Sequence, residues 1–138
     1  MDIRTLTEDI AVSPQIDVAH VREIAGAGFH SILCNRPDGE APDQTPIAEI
    51  EAAAEAEGLS FRAVPMTGHA VPPDLMSEFD RALHELPKPI LAYCRSGTRC
   101  TLLWAISRHG QMDSSEIVER ARSAGYDVSG LVQQLDGA

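Results

Sequence analysis

The segment around Cys94 constrains the fold of this 138-residue chain more than any other. An apolar run, residues 89–93 (PILAY), leads into residues 94–99 (CRSGTR), and a helical pattern of apolar residues follows from Thr101. This order is that of a buried strand, a turn with a glycine and the start of a helix. Such a unit directs consecutive backbone N–H groups into the turn, where the helix dipole adds positive potential. The sequence therefore predicts a strand–loop–helix unit that binds an anion.

Cys94, at the base of this loop, is the predicted nucleophile. A thiolate is itself an anion, so the N–H groups and the helix dipole should lower the pKa of a cysteine held there. Arg99 can direct two donors onto a bound oxyanion, and Arg95 is expected to face outward and attract substrate. Cys94 and Arg99 are thus the predicted catalytic residues, acting on a small anionic substrate. The predicted anion-binding residues are Arg95, Ser96, Gly97, Thr98 and Arg99.

Charge and cysteine content exclude several classes of partner. A formal net charge of −10 predicts a surface that repels nucleic acid and anionic membranes. No apolar stretch approaches the ~20 residues that span a bilayer, and the N-terminus lacks the pattern of a secretion signal, so we expect a cytoplasmic location. The three cysteines have no zinc-type spacing and favour reduced thiols, so neither a metal nor an organic cofactor is expected.

Short apolar runs alternate with amphipathic helical segments along the chain. Strands are predicted at residues 10–13 (as an edge strand), 31–35, 60–65 and 89–93. Strands separated by helices indicate a mostly parallel sheet that is covered on both faces. We therefore expect a single α/β domain over residues 1–138, with three layers and a sheet of about four strands.

Local signals mark the starts of several helices. Asp17 precedes helically spaced apolar residues and is a predicted N-cap. Asp113 with Glu116 has the pattern of a capping box, in which two side chains satisfy the first backbone N–H groups. Trp104 has helical spacing among apolar neighbours, so we expect it in the core.

In parallel sheets, ligands bind at the carboxyl ends of the strands. The loops at residues 36–40, 66–71 and 94–99 should therefore share one edge of the sheet and supply the site. For Asp38 and Glu40, shaping their turn and pairing with Arg36 is favoured over catalysis, whereas His69 is equally compatible with a loop position and a site role. The candidate accessory residues are His69, Asp38, Glu40 and Arg36.

Several segments carry a resemblance to known families. Cys94-x4-Arg99 resembles the loop of protein tyrosine and dual-specificity phosphatases, which enclose five residues, and that of single-domain rhodaneses, which often carry one residue fewer. With residues 13–15 (SPQ), 35–40 (NRPDGE) and 124–127 (AGYD), it is similar to a bacterial family known as beta-lactamase-hydrolase-like phosphatase domains. The resemblance implies the dual-specificity phosphatase fold. Family members also occur fused to a metallo-hydrolase or persulfide dioxygenase, which implies a persulfide-metabolising partner enzyme.

The chemistry of this loop has three interpretations. A shorter loop makes a tighter ring of N–H donors, which favours sulfur transfer through a Cys94 persulfide formed from a sulfane-sulfur donor. The alternative is a phosphatase that hydrolyses a phosphoester, but residues 66–71 lack the carboxylate that would act as its general acid. The third is a non-catalytic module that binds an anion or carries sulfur.

The other two cysteines have different expected roles. Cys34 ends an apolar strand and is predicted to be a small buried hydrophobe. Cys100 lies in the first turn of the helix after the loop, where the resemblance places a serine. Packing is the favoured role for Cys100, and trapping an oxidised Cys94 as a disulfide is the alternative.

Overall fold

The computed structural model describes residues 1–138, which form an α/β fold around a five-stranded sheet. None of its helices has the length and apolar character needed to cross a membrane. The strands are β1 (Arg4–Thr5), β2 (Ile10–Ser13), β3 (Ser31–Cys34), β4 (Ser60–Ala63) and β5 (Ile90–Tyr93). The helices are α1 (Val18–Gly26), α2 (Ile47–Ala56), α3 (Pro73–Glu85), α4 (Thr98–Arg108), α5 (Ser114–Ser123) and α6 (Ser129–Asp136).

The strand order is β1-β2-β5-β3-β4, and the last four of these strands are parallel. The predicted α/β class is confirmed. The prediction that residues 10–13 form an edge strand is wrong, because β1 pairs antiparallel with β2 on the side away from β5. All four residues of β2 are accordingly buried. A two-residue strand is too short to show an alternating pattern, so β1 could not be predicted.

The core lies on both faces of the sheet. Alternate residues of β5 point to opposite faces, so Ile90 and Ala92 join one apolar cluster while Leu91 and Tyr93 join the other. The first cluster packs against α3, α4, α5 and α6, and it contains Trp104, which is 1% exposed as predicted for a core residue. The second packs against α1 and α2. These are the three expected layers.

The central position of β5 fixes where the loop after it lies. Hydrogen bonds between the strands continue beyond the strand ends. The Cys94 N–H donates to the Ser13 carbonyl at 3.4 Å, and the Asn35 N–H donates to the Tyr93 carbonyl at 2.9 Å. The Met66 N–H in turn donates to the Asn35 carbonyl at 3.0 Å. The loops that follow β2, β3, β4 and β5 therefore meet at one edge of the sheet, as the parallel arrangement predicts.

One of the two predicted helix caps is present. The Asp17 carboxylate accepts the Val18 N–H at 2.8 Å, and the ring of His20 accepts the Asp17 N–H at 2.9 Å, which completes a capping box on α1. Asp113 occupies the N-cap of α5 but makes no capping hydrogen bond with its side chain, so the capping box predicted there is wrong. The side chain of Glu116 pairs instead with Arg120, one turn along the helix, at 3.0 Å.

These two aspartates make a matched pair for a stability measurement. Asp17→Ala should lower the free energy of unfolding by about 1 kcal/mol, because it leaves a first-turn N–H without its acceptor. Asp113→Ala should lower it by clearly less, since no hydrogen bond is lost. Urea denaturation of both variants measures the difference, and equal losses would contradict the assignment of the cap.

Candidate active site

The loop between β5 and α4 closes around the sulfur of Cys94. Gly97 has a left-handed backbone (φ 90°) and is the N-cap of α4, which lets the chain turn sharply from strand to helix. In this conformation the Gly97 N–H points back and donates to the Cys94 Sγ at 3.1 Å. The side chain of Cys94 lies at the bottom of the loop and is 0% exposed. The predicted strand–loop–helix unit is therefore present.

The surroundings of Cys94 stabilise its thiolate. The side chain of the neighbouring Cys100 lowers the pKa of Cys94 most, and backbone N–H groups of Cys100, Ser96 and Gly97 lower it further. Together they outweigh the effect of burial and lower the pKa of Cys94 to about 5. Burial has the opposite result for Cys100, whose pKa is raised well above its usual value. At neutral pH the pair therefore holds one thiolate, on Cys94, and one thiol, on Cys100.

Contacts behind the loop hold its carbonyl groups away from the sulfur. The Tyr126 hydroxyl donates to the Ser96 carbonyl at 2.8 Å, and the Gln15 N–H donates to the Arg95 carbonyl at 3.3 Å. A side chain at Gly97 would collide with the Tyr126 hydroxyl. Sequence reasoning did not assign Tyr126 to the site, although it lies in the AGYD segment that carried part of the family resemblance.

Arg99 reaches the site from the first turn of α4 and is held in place by Glu40. Its two terminal nitrogens donate to the two carboxylate oxygens of Glu40 at 2.7 and 2.8 Å, and one of them also donates to the Met66 carbonyl at 2.9 Å. Glu40 first, and then the negative charge of Cys94, raise the pKa of Arg99. The guanidinium is thus oriented by a carboxylate on one side and by a carbonyl on the other, close to the reactive sulfur.

Glu40 also links Arg99 to Arg36. The Arg36 Nε donates to Glu40 at 2.9 Å, and another Arg36 nitrogen donates to the Gln15 side chain at 3.0 Å. Arg36 is 4% exposed, so this ion pair offsets the cost of burying its charge. Arg99 first, and then Arg36, lower the pKa of Glu40 to about 2. Glu40 is therefore a carboxylate at any working pH and has no proton to give to a leaving group.

The other accessory candidates, Asp38 and His69, do not join this network of ion pairs. Asp38 accepts the Ile47 N–H at 2.8 Å and so caps the start of α2, which agrees with the turn-shaping role favoured from the sequence. His69 is exposed on the loop between β4 and α3. Of the four accessory candidates, Arg36 and Glu40 join the network of Arg99, whereas Asp38 is engaged by a helix end.

The exposed rim of the loop carries the remaining predicted residues. Arg95 is exposed, as expected for a residue that attracts an anionic substrate. The hydroxyls of Ser96 and Thr98 bond each other at 3.0 Å, and the Ser96 hydroxyl also accepts the Thr98 N–H at 3.4 Å. These side chains stabilise the turn at its outer edge, and their roles toward a ligand stay predictions.

Cys34 lies on the opposite face of the sheet from Cys94 and Cys100, in the second apolar cluster. It is 1% exposed, and its thiol donates to the Arg36 carbonyl at 3.2 Å. Burial raises its pKa, so it stays a thiol. The prediction that Cys34 is a small buried residue is confirmed. No group of three His, Cys, Asp or Glu side chains is arranged to hold a metal ion.

Comparisons with known proteins agree with this geometry. Residues 2–111 match the sequence model of the family described as "Beta-lactamase hydrolase-like protein, phosphatase-like domain". A beta-lactamase hydrolase-like protein of Xylella fastidiosa is 32% identical over 138 residues, which cover 99% of this chain and 32% of that protein. The chain thus spans about a third of the length of the curated relatives it matches.

Solved structures show the same fold. A crystal structure of a candidate phosphatase from Neisseria meningitidis has a TM-score of 0.86 and 36% identity, covering 99% of this chain and 98% of that chain. The core catalytic domain of the PP-IP phosphatase SIW14 from S. cerevisiae, solved with citrate, has a TM-score of 0.67 and 20% identity, covering 98% and 83%. The phosphatase fold implied by the sequence resemblance is confirmed.

The ionisation of Cys94 can be measured directly by thiolate ultraviolet absorbance. A lowered pKa means that the thiolate is present at neutral pH and is lost as the pH falls through about 5. Cys94→Ser should abolish this transition, whereas Cys34→Ser should leave it unchanged, because Cys34 is a thiol throughout this range. A transition only near the ordinary cysteine pKa of about 8.5 would contradict the assignment.

Gly97 and Gly110 provide a second matched pair. Both have a left-handed backbone, so alanine at either position should cost about 1–2 kcal/mol of stability. Only at Gly97 would the new side chain collide, with the Tyr126 hydroxyl, whereas the space at Gly110 is open. Gly97→Ala should therefore also displace its N–H and raise the pH at which the Cys94 thiolate forms. Equal titration curves for the two variants would show that the loop does not depend on this contact.

Proposed function

The chain belongs to the family of phosphatase-like domains of beta-lactamase hydrolase-like proteins, and we propose that it is a cysteine-dependent hydrolase of small phosphomonoesters. The observation that carries the proposal is the Cys94 thiolate, which accepts the Gly97 N–H of the loop backbone and whose charge attracts the Arg99 guanidinium. Family membership and the likeness to phosphatase structures support hydrolysis, the alternative of the sequence analysis, better than they support sulfur transfer.

The proposed reaction has two steps. The Cys94 thiolate attacks phosphorus, the bond to the leaving oxygen breaks, and the leaving group departs with the bonding electrons. Water then attacks the phosphocysteine, which releases inorganic phosphate and restores the thiolate. The N–H groups of residues 95–99 and the guanidinium of Arg99 stabilise the charge on the phosphoryl oxygens. Glu40 orients that guanidinium and takes no part in the bond changes.

The identity of the leaving group is restricted by the missing acid. The loop at residues 66–71 has no carboxylate, Glu40 is ionised, and Asp38 caps a helix. His69 is the titratable side chain of that loop. General acid catalysis contributes roughly 10²–10⁴-fold to reactions of this kind. The proposed substrates are therefore phosphoesters whose leaving group is a stable anion, such as an aryl phosphate.

Sulfur transfer is the second candidate, and two observations favour it. Cys94 is fully buried beneath a loop that encloses only four residues between cysteine and arginine, a shape suited to a small donor. The reaction also needs no acid. The thiolate would attack the sulfane sulfur of thiosulfate, sulfite would leave as an anion, and a thiolate or cyanide acceptor would take the outer sulfur from the Cys94 persulfide.

The partner enzyme and the cellular location of this reaction are also proposals. The curated relatives are about three times longer than the matched segment, so their remaining residues belong to a part this chain does not cover. A persulfide-metabolising partner enzyme would supply or consume sulfur in the second reaction and would have no role in the first. The cytoplasmic location stays a prediction from the sequence.

The test compares the two reactions in the same protein. Wild type should hydrolyse an aryl phosphate, and Cys94→Ser should lose at least about 10³-fold of this activity, since it removes the nucleophile. An alkyl phosphate should react roughly 10²–10⁴-fold more slowly than the aryl ester, because no carboxylic acid protonates its leaving oxygen. Cys34→Ser is the control and should behave as wild type.

Intact mass after incubation with thiosulfate separates the other interpretations. A Cys94-dependent gain of one sulfur that cyanide discharges, without phosphate release, would overturn the hydrolase and establish sulfur transfer. Tight binding of an anion that survives Cys94→Ser, without either reaction, would establish the non-catalytic module. A loss of alkyl phosphate hydrolysis in His69→Asn, with aryl phosphate hydrolysis retained, would identify His69 as the acid.

A further inference from the structure

The contact that holds a loop carbonyl outward is itself supported by the N-terminal strand. We propose that Arg4 of β1 is a positioning residue for the loop around Cys94. It fixes the ring of Tyr126, whose hydroxyl keeps the Ser96 carbonyl turned away from the sulfur. The inference rests on the proposed function only in taking Cys94 as the nucleophile, and it is the same for phosphate hydrolysis and for sulfur transfer.

The guanidinium of Arg4 covers the ring of Tyr126. Its central carbon lies 5.2 Å from the ring centroid, within the distance of a cation–π interaction. One terminal nitrogen of Arg4 donates to the Ala124 carbonyl at 3.2 Å, which ties the arginine to the end of α5, just before Tyr126. This close approach depends on a glycine, because a Cβ at Gly125 would lie 2.8 Å from the same nitrogen.

Arg4 is also held from its other side. Its Nε and its second terminal nitrogen donate to the Asp2 carboxylate at 2.9 to 3.2 Å. Its backbone lies in β1, opposite Val12 of β2. That strand ends at Ser13, whose carbonyl accepts the Cys94 N–H. The arginine and the base of the loop therefore belong to the same hydrogen-bonded framework.

A single peptide group connects Tyr126 to the sulfur. The Ser96 carbonyl accepts the Tyr126 hydroxyl at 2.8 Å, and the Gly97 N–H of the same peptide donates to the Cys94 Sγ at 3.1 Å. The peptide is planar and trans, so its carbonyl and its N–H point in opposite directions. Holding the carbonyl outward therefore holds the N–H on the sulfur. Burial raises the pKa of Tyr126, so the hydroxyl keeps the proton that it donates.

Loss of Arg4 should loosen this arrangement. Tyr126 is half-buried, so its ring can turn toward solvent once the guanidinium no longer covers it. The peptide between Ser96 and Gly97 is then free to rotate, and its N–H leaves the sulfur for part of the time. Fewer hydrogen bonds to the thiolate favour the thiol, so the pKa of Cys94 should rise.

The test is the thiolate titration of Arg4→Gln, measured by ultraviolet absorbance without substrate. The pH at which the Cys94 thiolate forms should rise by about half a unit or more, which is roughly a threefold change in the acid constant. Tyr126→Phe lacks the hydroxyl and should raise this pH at least as much. Asp2→Asn weakens the hold on Arg4 without removing it, so it should produce a smaller shift in the same direction.

Arg120 is the matched control. It also ties the N-terminal segment to α5, because one of its terminal nitrogens donates to the Leu6 carbonyl at 3.2 Å while the arginine pairs with Glu116 at 3.0 Å. These partners do not include Tyr126. Arg120→Gln should therefore lower the urea midpoint by an amount similar to Arg4→Gln but leave the titration of Cys94 as in wild type.

A double variant separates positioning from a direct effect of the arginine charge on the sulfur. If Arg4 acts through the Tyr126 hydroxyl, Arg4→Gln should cause no further shift in a Tyr126→Phe background. A direct effect of the charge would persist in that background, and the two shifts would add.

Three results would overturn the proposal. They are an Arg4→Gln titration equal to that of wild type, a shift of the same size in Arg120→Gln, and a double variant whose shifts add. Should Arg4→Gln fail to fold by circular dichroism, unshifted titrations in Asp2→Asn and Tyr126→Phe would overturn it as well. The titration needs no substrate, so failure to hydrolyse an aryl phosphate would contradict the proposed function and leave this test intact.

Discussion

A buried negative charge on the sulfur of Cys94 is the constraint on which the rest of the site depends. A charge without compensation is costly in a protein interior, so the surroundings have to supply donors. The side chain of Cys100 and backbone N–H groups of the loop stabilise the charge, and the Gly97 N–H donates to the sulfur at 3.1 Å. Those N–H groups point inward only because the loop carbonyls point outward, where Tyr126 and Gln15 bond two of them. The conformation of the loop and the charge of the sulfur thus require each other.

The ion pairs around Glu40 hold positive charge at the site, although the chain has a net charge of −10. A guanidinium near the thiolate has to be held in a fixed direction and still attract an anion. Glu40 holds Arg99 through two short hydrogen bonds and at the same time pairs with the buried Arg36. Two arginines share one carboxylate, so the cluster keeps a net positive charge. This is how an acidic protein retains a local site for an anion.

The parts of the fold and site that local patterns determine could be predicted from the sequence. The strand, turn and helix around Cys94 are contiguous, and the sheet rule then places the loops after neighbouring strands at one edge. Contacts between distant segments leave no such pattern. Tyr126 bonds a carbonyl 30 residues away, and Arg99 pairs with a carboxylate 59 residues away. The side chain of Asp113 fits a capping pattern but makes no such bond, since a pattern shows which residue is present and not where its side chain points.

Both candidate reactions satisfy one physical requirement that this site sets. The site supplies a thiolate and positive potential, but the carboxylates near it are committed: Glu40 to two arginines and Asp38 to the start of α2. A leaving group must therefore depart as an anion that is stable without a proton. An aryl oxide meets this condition in phosphate hydrolysis, and sulfite meets it in sulfur transfer. Because both reactions share this requirement, the site suits sulfur transfer as well as the hydrolysis of aryl phosphates. A carboxylic acid near the leaving group would favour the hydrolysis of phosphoesters alone.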